Sequence, residues 1–150
     1  MKYLTILIFT MSLNLFARAQ IDPYLYDFRS DGCSLIPDGT FKDPNLWHHC
    51  CVVHDLRYWA GGDKVDRKKS DLELKYCIEK IGKKTVANIV YRGVRFGGGA
   101  FISSIYRTLF HVKLGWGYGW EENRKYRKLS KKELQLVLEK TPDDLSDYER

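Results

Sequence analysis

The sequence predicts a mainly α-helical fold: two antiparallel, disulfide-linked helices preceded by a loop, with additional helices toward the C-terminus. Three observations carry this. "NLWHHCCVVHDLRYWA" (45–60) repeats apolar residues at helical spacing. "GGD" (61–63) interrupts it, and a second helical pattern follows as far as Gly82. The four cysteines, Cys33, Cys50, Cys51 and Cys77, lie within and just before this pair.

The N-terminus reads as a leader. Lys2 precedes the apolar run "YLTILIFTMSLNLF", and Ala17-Arg18-Ala19 puts small residues where a signal peptidase reads them. The run is too short to span a membrane. Residues 1–19 are therefore expected to be a signal peptide, cleaved near Ala19, and the mature protein to be secreted or periplasmic. Residues 20–150 read as a single domain, with a core at about 26–82 and a C-terminal extension at about 83–150. In an oxidising compartment an even number of cysteines implies two disulfides.

Pro23, Pro37 and Pro44 mark 21–46 as loops, with room for a short helix near "PYLYDFRS". Asn45 suits an N-cap for the first helix and Asp63 one for the second, which runs from about Lys64 to Ile81. A third, weaker helix is expected near 83–92. "FGGGAF" (96–101) reads as a flexible break, and "FISSIYRTLF" fits helix or strand. "GWGYGW" (115–120) reads as an irregular aromatic turn. Ser130 and Glu133 form a capping box ahead of an apolar stripe of Leu134, Val137 and Leu138. The tail "TPDDLSDYER" reads as frayed.

The formal charge of +6 falls to +4 once Lys2 and Arg18 leave with the leader. The basic residues gather late, at Lys80, Lys83, Lys84, Arg92, Arg95 and "RKYRKLSKK" (124–132). They read as a solvated surface, or as attraction to an anionic membrane. No nucleic-acid motif appears, so no nucleic-acid partner is expected.

Trp47, Cys51, His54 and Tyr58 share one stripe of the first helix. Asp55 sits about 100° around from His54, so these neighbours point to different places. The second helix carries Arg67, Asp71, Leu74 and Ile78 on one face. Folding the hairpin about its turn pairs His54 with Asp71, Tyr58 with Arg67 and Cys50 with Cys77 in one register. Cys51 is then left to bind Cys33 and hold the upstream loop. A carboxylate on one imidazole nitrogen fixes the tautomer and raises basicity, freeing the other to take a proton from water. Asp55, with Asp31, the carbonyl of Gly32 and Asp38 available, makes a hard-cation site suited to calcium.

"CCVVHDLRY" resembles the C-C-x-x-H-D-x-x-Y signature of secreted phospholipases A2. Asp71 lies six residues before Cys77, where that family carries its second aspartate, and the family's two bridges match the register pairing. "DGCSLIPDGTF" resembles the loop of the small bacterial and fungal-type members. The resemblance covers about 26–82. It implies His54 as general base, Asp71 orienting it and Tyr58 supporting the network. It implies Ca²⁺ bound by the Asp55 side chain, the Gly32 carbonyl and Asp31. The implied substrate is the sn-2 ester of a phospholipid at a membrane surface. The alternative is a non-catalytic, toxin-like relative that binds membrane or protein. Departures are a loop with only Gly32 and Gly39, which includes Pro37, and Arg57 where animal members carry a cysteine.

Other readings compete. His48, His49, His54 and the cysteine doublet could ligate zinc, or the pair could be a purely structural hairpin. His48 and His49 alone read as exposed or packing residues. Trp116, Tyr118 and Trp120 read as core or lid ahead of lipid contacts, with an interfacial role as the sharper hypothesis.

Overall fold

The structure, a computed structural model, describes residues 22–34, 36–110 and 114–149; the expected leader lies outside them. It is mainly helical: α1 (His48–Ala60), α2 (Lys64–Lys80), α3 (Lys84–Gly97), α4 (Ala100–Phe110), α5 (Lys131–Lys140) and a 3-10 segment, Asp143–Glu149. No strand beyond one isolated bridge occurs among the described residues.

α1 begins at His48, with Trp47 rather than Asn45 at the cap position. Asn45 gives only its backbone carbonyl, to His48 N at 3.1 Å. The buried Trp47 indole donates to the Pro37 carbonyl at 2.8 Å, and that anchor sets where the chain enters the helix. Gly61 and Gly62, at φ 74° and 145°, end α1 in conformations that favour glycine. Asp63 then caps α2, accepting from Val65 N at 2.7 Å and Asp66 N at 3.1 Å, while Asp66 returns a bond to Asp63 N at 2.9 Å.

α1 packs antiparallel on α2, and α2 on α3. Trp47, Cys50, Cys51, Leu74, Ile78, Ala87 and Val90 form the core between them. Cys50–Cys77 joins α1 to α2, and Cys33–Cys51 ties the upstream loop to α1, at Cα separations of 5.8 and 5.2 Å. α3 runs past the expected end at 92 because Val90 and Val94 continue its inward face. "FISSIYRTLF" is helical, and the break at "FGGGAF" shrinks to Gly98 and Gly99.

Residues 23–30 form no helix, and Leu25 pairs instead with Trp120. Tyr26 N bonds to the Gly119 carbonyl at 2.8 Å and Glu121 N to that of Tyr24 at 3.1 Å, around the Leu25–Trp120 bridge. α5 has the expected Ser130–Glu133 box, but its apolar stripe does not all face inward. Val137 is buried while Leu134 and Leu138 are about half exposed. Ion pairs of Glu133 with Arg124 and Arg127 turn the Glu133–Val137 side to the core instead. Residues 143–149 form a 3-10 segment rather than a frayed tail, and Leu145 packs on a second core of Leu25, Leu56, Trp59, Trp120 and Val137.

The turn at 115–120 closes the C-terminal end of α1. Gly117 N donates to the Tyr58 carbonyl at 2.7 Å and Gly119 N to that of Trp59 at 3.2 Å. The Trp120 and Trp116 indoles donate to the carbonyls of Ala60 and Gly62, each at 2.8 Å. The last carbonyls of a helix lack intrahelical partners, so this turn acts as their cap. Both indoles are buried, which removes Trp116 and Trp120 as lipid contacts.

Candidate active site

The α1 stripe points inward: Trp47, Cys51, His54 and Tyr58 are all buried. α2 brings Asp71 to meet it. His54 Nε2 lies 3.0 Å from Asp71 Oδ1, and the Tyr58 hydroxyl donates to the same oxygen at 2.7 Å. The Tyr58 ring also packs on the imidazole, 4.2 Å between centroids.

Asp71 is 0 % exposed. Burial pushes its carboxyl pKa up, but hydrogen bonds from His54, Tyr58 and Arg95 outweigh this and the net shift is downward. Arg95 Nη1 reaches Oδ2 at 2.6 Å, and Arg67 Nε lies 3.8 Å from it. Asp71 is therefore ionised and accepts from His54 Nε2–H, which leaves Nδ1 with a free lone pair. Burial lowers the His54 pKa, and the opposing pull of Asp71 is the smaller effect. The expected gain in basicity is thus overridden by desolvation, and the imidazole is neutral at pH 7. A neutral imidazole is the form able to accept a proton.

Asp55 turns away from this pair, toward the loop. Its Oδ2 accepts from the Ser30 hydroxyl at 2.6 Å, and Ser30 Oγ accepts from Gly32 N at 3.1 Å. Among the described residues no basic side chain pairs with Asp55. Burial, with Asp31 and Asp38 nearby, pushes its pKa up to about 7. Gly32 has φ 79°, and a Cβ there would lie 2.6 Å from His48 Nδ1 and against Asp38.

Asp38, offered by the sequence as a cation ligand, is used differently. It accepts from Cys33 N at 2.7 Å and faces His48 Nδ1 at 3.2 Å. His48, read from the sequence as a packing or exposed residue, thereby pins the loop that carries Gly32. Zinc is not favoured by this geometry. Among the described residues, the two His/Cys/Asp clusters close enough to share an ion, His49–Cys50–Cys77 and Cys33–Asp38–Cys51, draw their sulfurs from the disulfides, so they offer no thiolate.

His54, Tyr58, Asp55, Asp31 and Gly32 line one cavity of about 830 Å³. α3 also lines it, contributing Ile89, Val90 and Val94 together with Gly93 and Gly97. A Cβ at either glycine would meet nothing within 4 Å. Tyr118 closes another side, its hydroxyl donating to the Arg29 carbonyl at 2.9 Å. The cavity is thus polar at the His54–Asp55 end and apolar along α3.

The sequence reading missed Arg95 and much of the role of Arg67. Arg67 and Asp71 share the buried face at i and i+4, which is a usable signal. Arg95 lies beyond the expected end of α3 and was counted with the basic surface. Arg124 and Arg127, also counted there, pair with the buried Glu133, and the Arg124 guanidinium sits 4.3 Å from the Trp120 ring centroid. Lys132 and Lys140 pair with Asp22 and Asp27. Within the basic run, Arg124 and Arg127 are therefore structural.

Comparison with protein-family models, with curated proteins and with solved structures gave no match.

Proposed function

We propose that the protein is a calcium-dependent, phospholipase A2-like hydrolase that cleaves the sn-2 acyl ester of phospholipids. The observation that carries this reading is that His54, held from behind by the buried Asp71, lines the same cavity as the oxygen donors around Asp55. The apolar side chains that α3 adds to the same cavity suit an acyl chain.

The donor set fits calcium. Asp55 and Asp31 would hold the ion through carboxylates and Gly32 through its carbonyl, all hard oxygens. A cation would also relieve the cost of a half-buried carboxylate that no basic side chain among the described residues neutralises. When bound, Ca²⁺ supplies positive charge that polarises the ester carbonyl and favours the oxyanion.

His54 Nδ1 accepts a proton from water, which attacks the carbonyl carbon; as the acyl C–O bond breaks, the imidazolium returns that proton to the departing lysophospholipid oxygen. Asp71 keeps the Nε2 proton in place and balances the imidazolium that forms. Tyr58 donates to Asp71 and fixes its orientation. The apolar side chains of α3 exclude water from the acyl chain.

The proposed partner is a phospholipid membrane surface. Ile89 and Leu114 line the cavity and are 61 % and 39 % exposed, and Phe96 and Phe101 nearby in sequence are more exposed still. Two disulfides fit an oxidising compartment, and the leader reading makes it secreted or periplasmic. No helix among the described residues is long and apolar enough to cross a membrane. These exposed side chains also favour the second reading, a non-catalytic protein that docks on membrane or protein.

The test is release of fatty acid from phospholipid vesicles with and without a calcium chelator. Chelator-sensitive release supports the hydrolase. Vesicle binding without release favours the docking protein.

A further inference from the structure

An aspartate with no exposure would normally take up a proton. A protonated Asp71 would present its O–H to the imidazole and accept nothing from Nε2. Nδ1 would then carry the imidazole proton and have no lone pair for water. Something must keep Asp71 ionised, and two guanidinium groups stand beside it.

Arg95, from the last turn of α3, donates through Nη1 to Asp71 Oδ2 at 2.6 Å. Arg67, one turn before Asp71 on α2, lies 3.8 Å from the same oxygen. Together they occupy Oδ2, which leaves Oδ1 to His54 and Tyr58. Arg67 is itself locked in place. Its Nε donates to the Tyr58 hydroxyl at 3.1 Å and Nη1 to that of Tyr126 at 2.9 Å. Its Nη2 reaches the carbonyls of Val94 at 2.7 Å and Arg95 at 2.9 Å. These are carbonyls at the C-terminal end of α3, where a cation is favoured. Arg67 therefore fixes the backbone from which Arg95 reaches Asp71.

We propose that Arg95 and Arg67 are positioning residues for the His54–Asp71 pair: a guanidinium clamp from two helices that holds Asp71 ionised and sets which of its oxygens faces the imidazole. The clamp makes α3 both a cavity wall and part of the proton-transfer machinery. The kinetic consequence rests on the hydrolase reading; the effect on the imidazole does not.

The experiment compares wild type, Arg95→Met, Arg95→Lys and Arg92→Met by steady-state kinetics on phospholipid vesicles with calcium, and by nitrogen-edited NMR of the His54 ring. Arg95→Met is expected to lower kcat by about 10- to 100-fold with KM unchanged, and to lose the Nε2-protonated tautomer. Arg95→Lys retains a charge at a single-point contact and is expected to recover most of kcat. Arg92→Met, on the exposed side of α3, is expected to match wild type in both readouts. If Arg95→Met does not fold, Arg95→Gln, neutral but still a donor, is expected to show the same losses. A folded, charge-neutral Arg95 variant with wild-type kcat and a wild-type imidazole spectrum overturns the proposal. If wild type releases no fatty acid, the hydrolase reading fails and the imidazole spectra alone decide the clamp.

Discussion

The Tyr58 hydroxyl donates to Asp71 Oδ1, 2.7 Å away, on the oxygen that also receives His54 Nε2. One buried carboxylate oxygen thus holds two side chains of the same α1 stripe. Asp71→Asn keeps the shape and removes the charge, leaving the Arg67 and Arg95 guanidinium groups without their anion. Breaking a buried ion pair this way costs about 3 kcal/mol. The amide can also present its N–H₂ to the imidazole and favour the wrong tautomer. Activity is expected to fall about a thousand-fold or more. Urea unfolding and vesicle hydrolysis measure the two effects separately.

Trp120 is a brace and not a membrane anchor. Its indole caps the Ala60 carbonyl, and its ring carries Arg124. Trp120→Phe keeps most of the apolar volume but leaves that carbonyl unpaired, at a cost of about 1–3 kcal/mol. Thermal unfolding is expected to show the loss, while vesicle partitioning of the folded variant is expected to match wild type. A selective loss of vesicle binding would return the aromatic turn to the membrane.

Glu133 gives a pH signature. Burial raises its pKa, but hydrogen bonds from Arg124, Ser130 and Arg127 outweigh this and hold it well below the usual range. A carboxyl depressed on folding stabilises above its unfolded pKa of about 4.3, and the contribution disappears as pH falls toward the folded value. Glu133→Gln is expected to cost about 3 kcal/mol at neutral pH and progressively less below about pH 4. Urea midpoints at pH 7 and pH 3 check the direction. An equal deficit at both would mean that the Glu133 charge contributes nothing.

The calcium site proposed at Asp55 would link calcium to stability. A ligand that binds only the folded state at ten times its Kd adds about 1.4 kcal/mol. Calcium in the millimolar range is expected to raise the melting midpoint of wild type and leave that of Asp55→Asn unmoved. Calorimetry with and without chelator reads both. Equal midpoints for wild type in the two conditions would remove calcium from the account.

Much of the helix pair was legible in the sequence because one register satisfied several residues at once. His54–Asp71, Tyr58–Arg67 and Cys50–Cys77 all meet in the structure. What escaped depends on contacts distant in sequence. Arg95 reads as one more surface cation until α3 is seen to turn it toward Asp71. His48 gains its role from Asp38 ten residues earlier, and that pairing follows from the loop held by Cys33–Cys51. The aromatic turn at 115–120 carries no local signal of the helix end it caps, because its partners are backbone carbonyls at 58–62. Leu134 and Leu138 misled because ion pairs of Glu133, not apolar periodicity, orient α5.

His54 is where the central claim is most exposed. Fatty-acid release from phospholipid vesicles in calcium should be measured for wild type and for His54→Gln, with unfolding curves establishing that both are folded. The account predicts release by wild type and a loss of at least about a hundred-fold in the variant, the scale of a missing general base. Release by His54→Gln at the wild-type rate would contradict it.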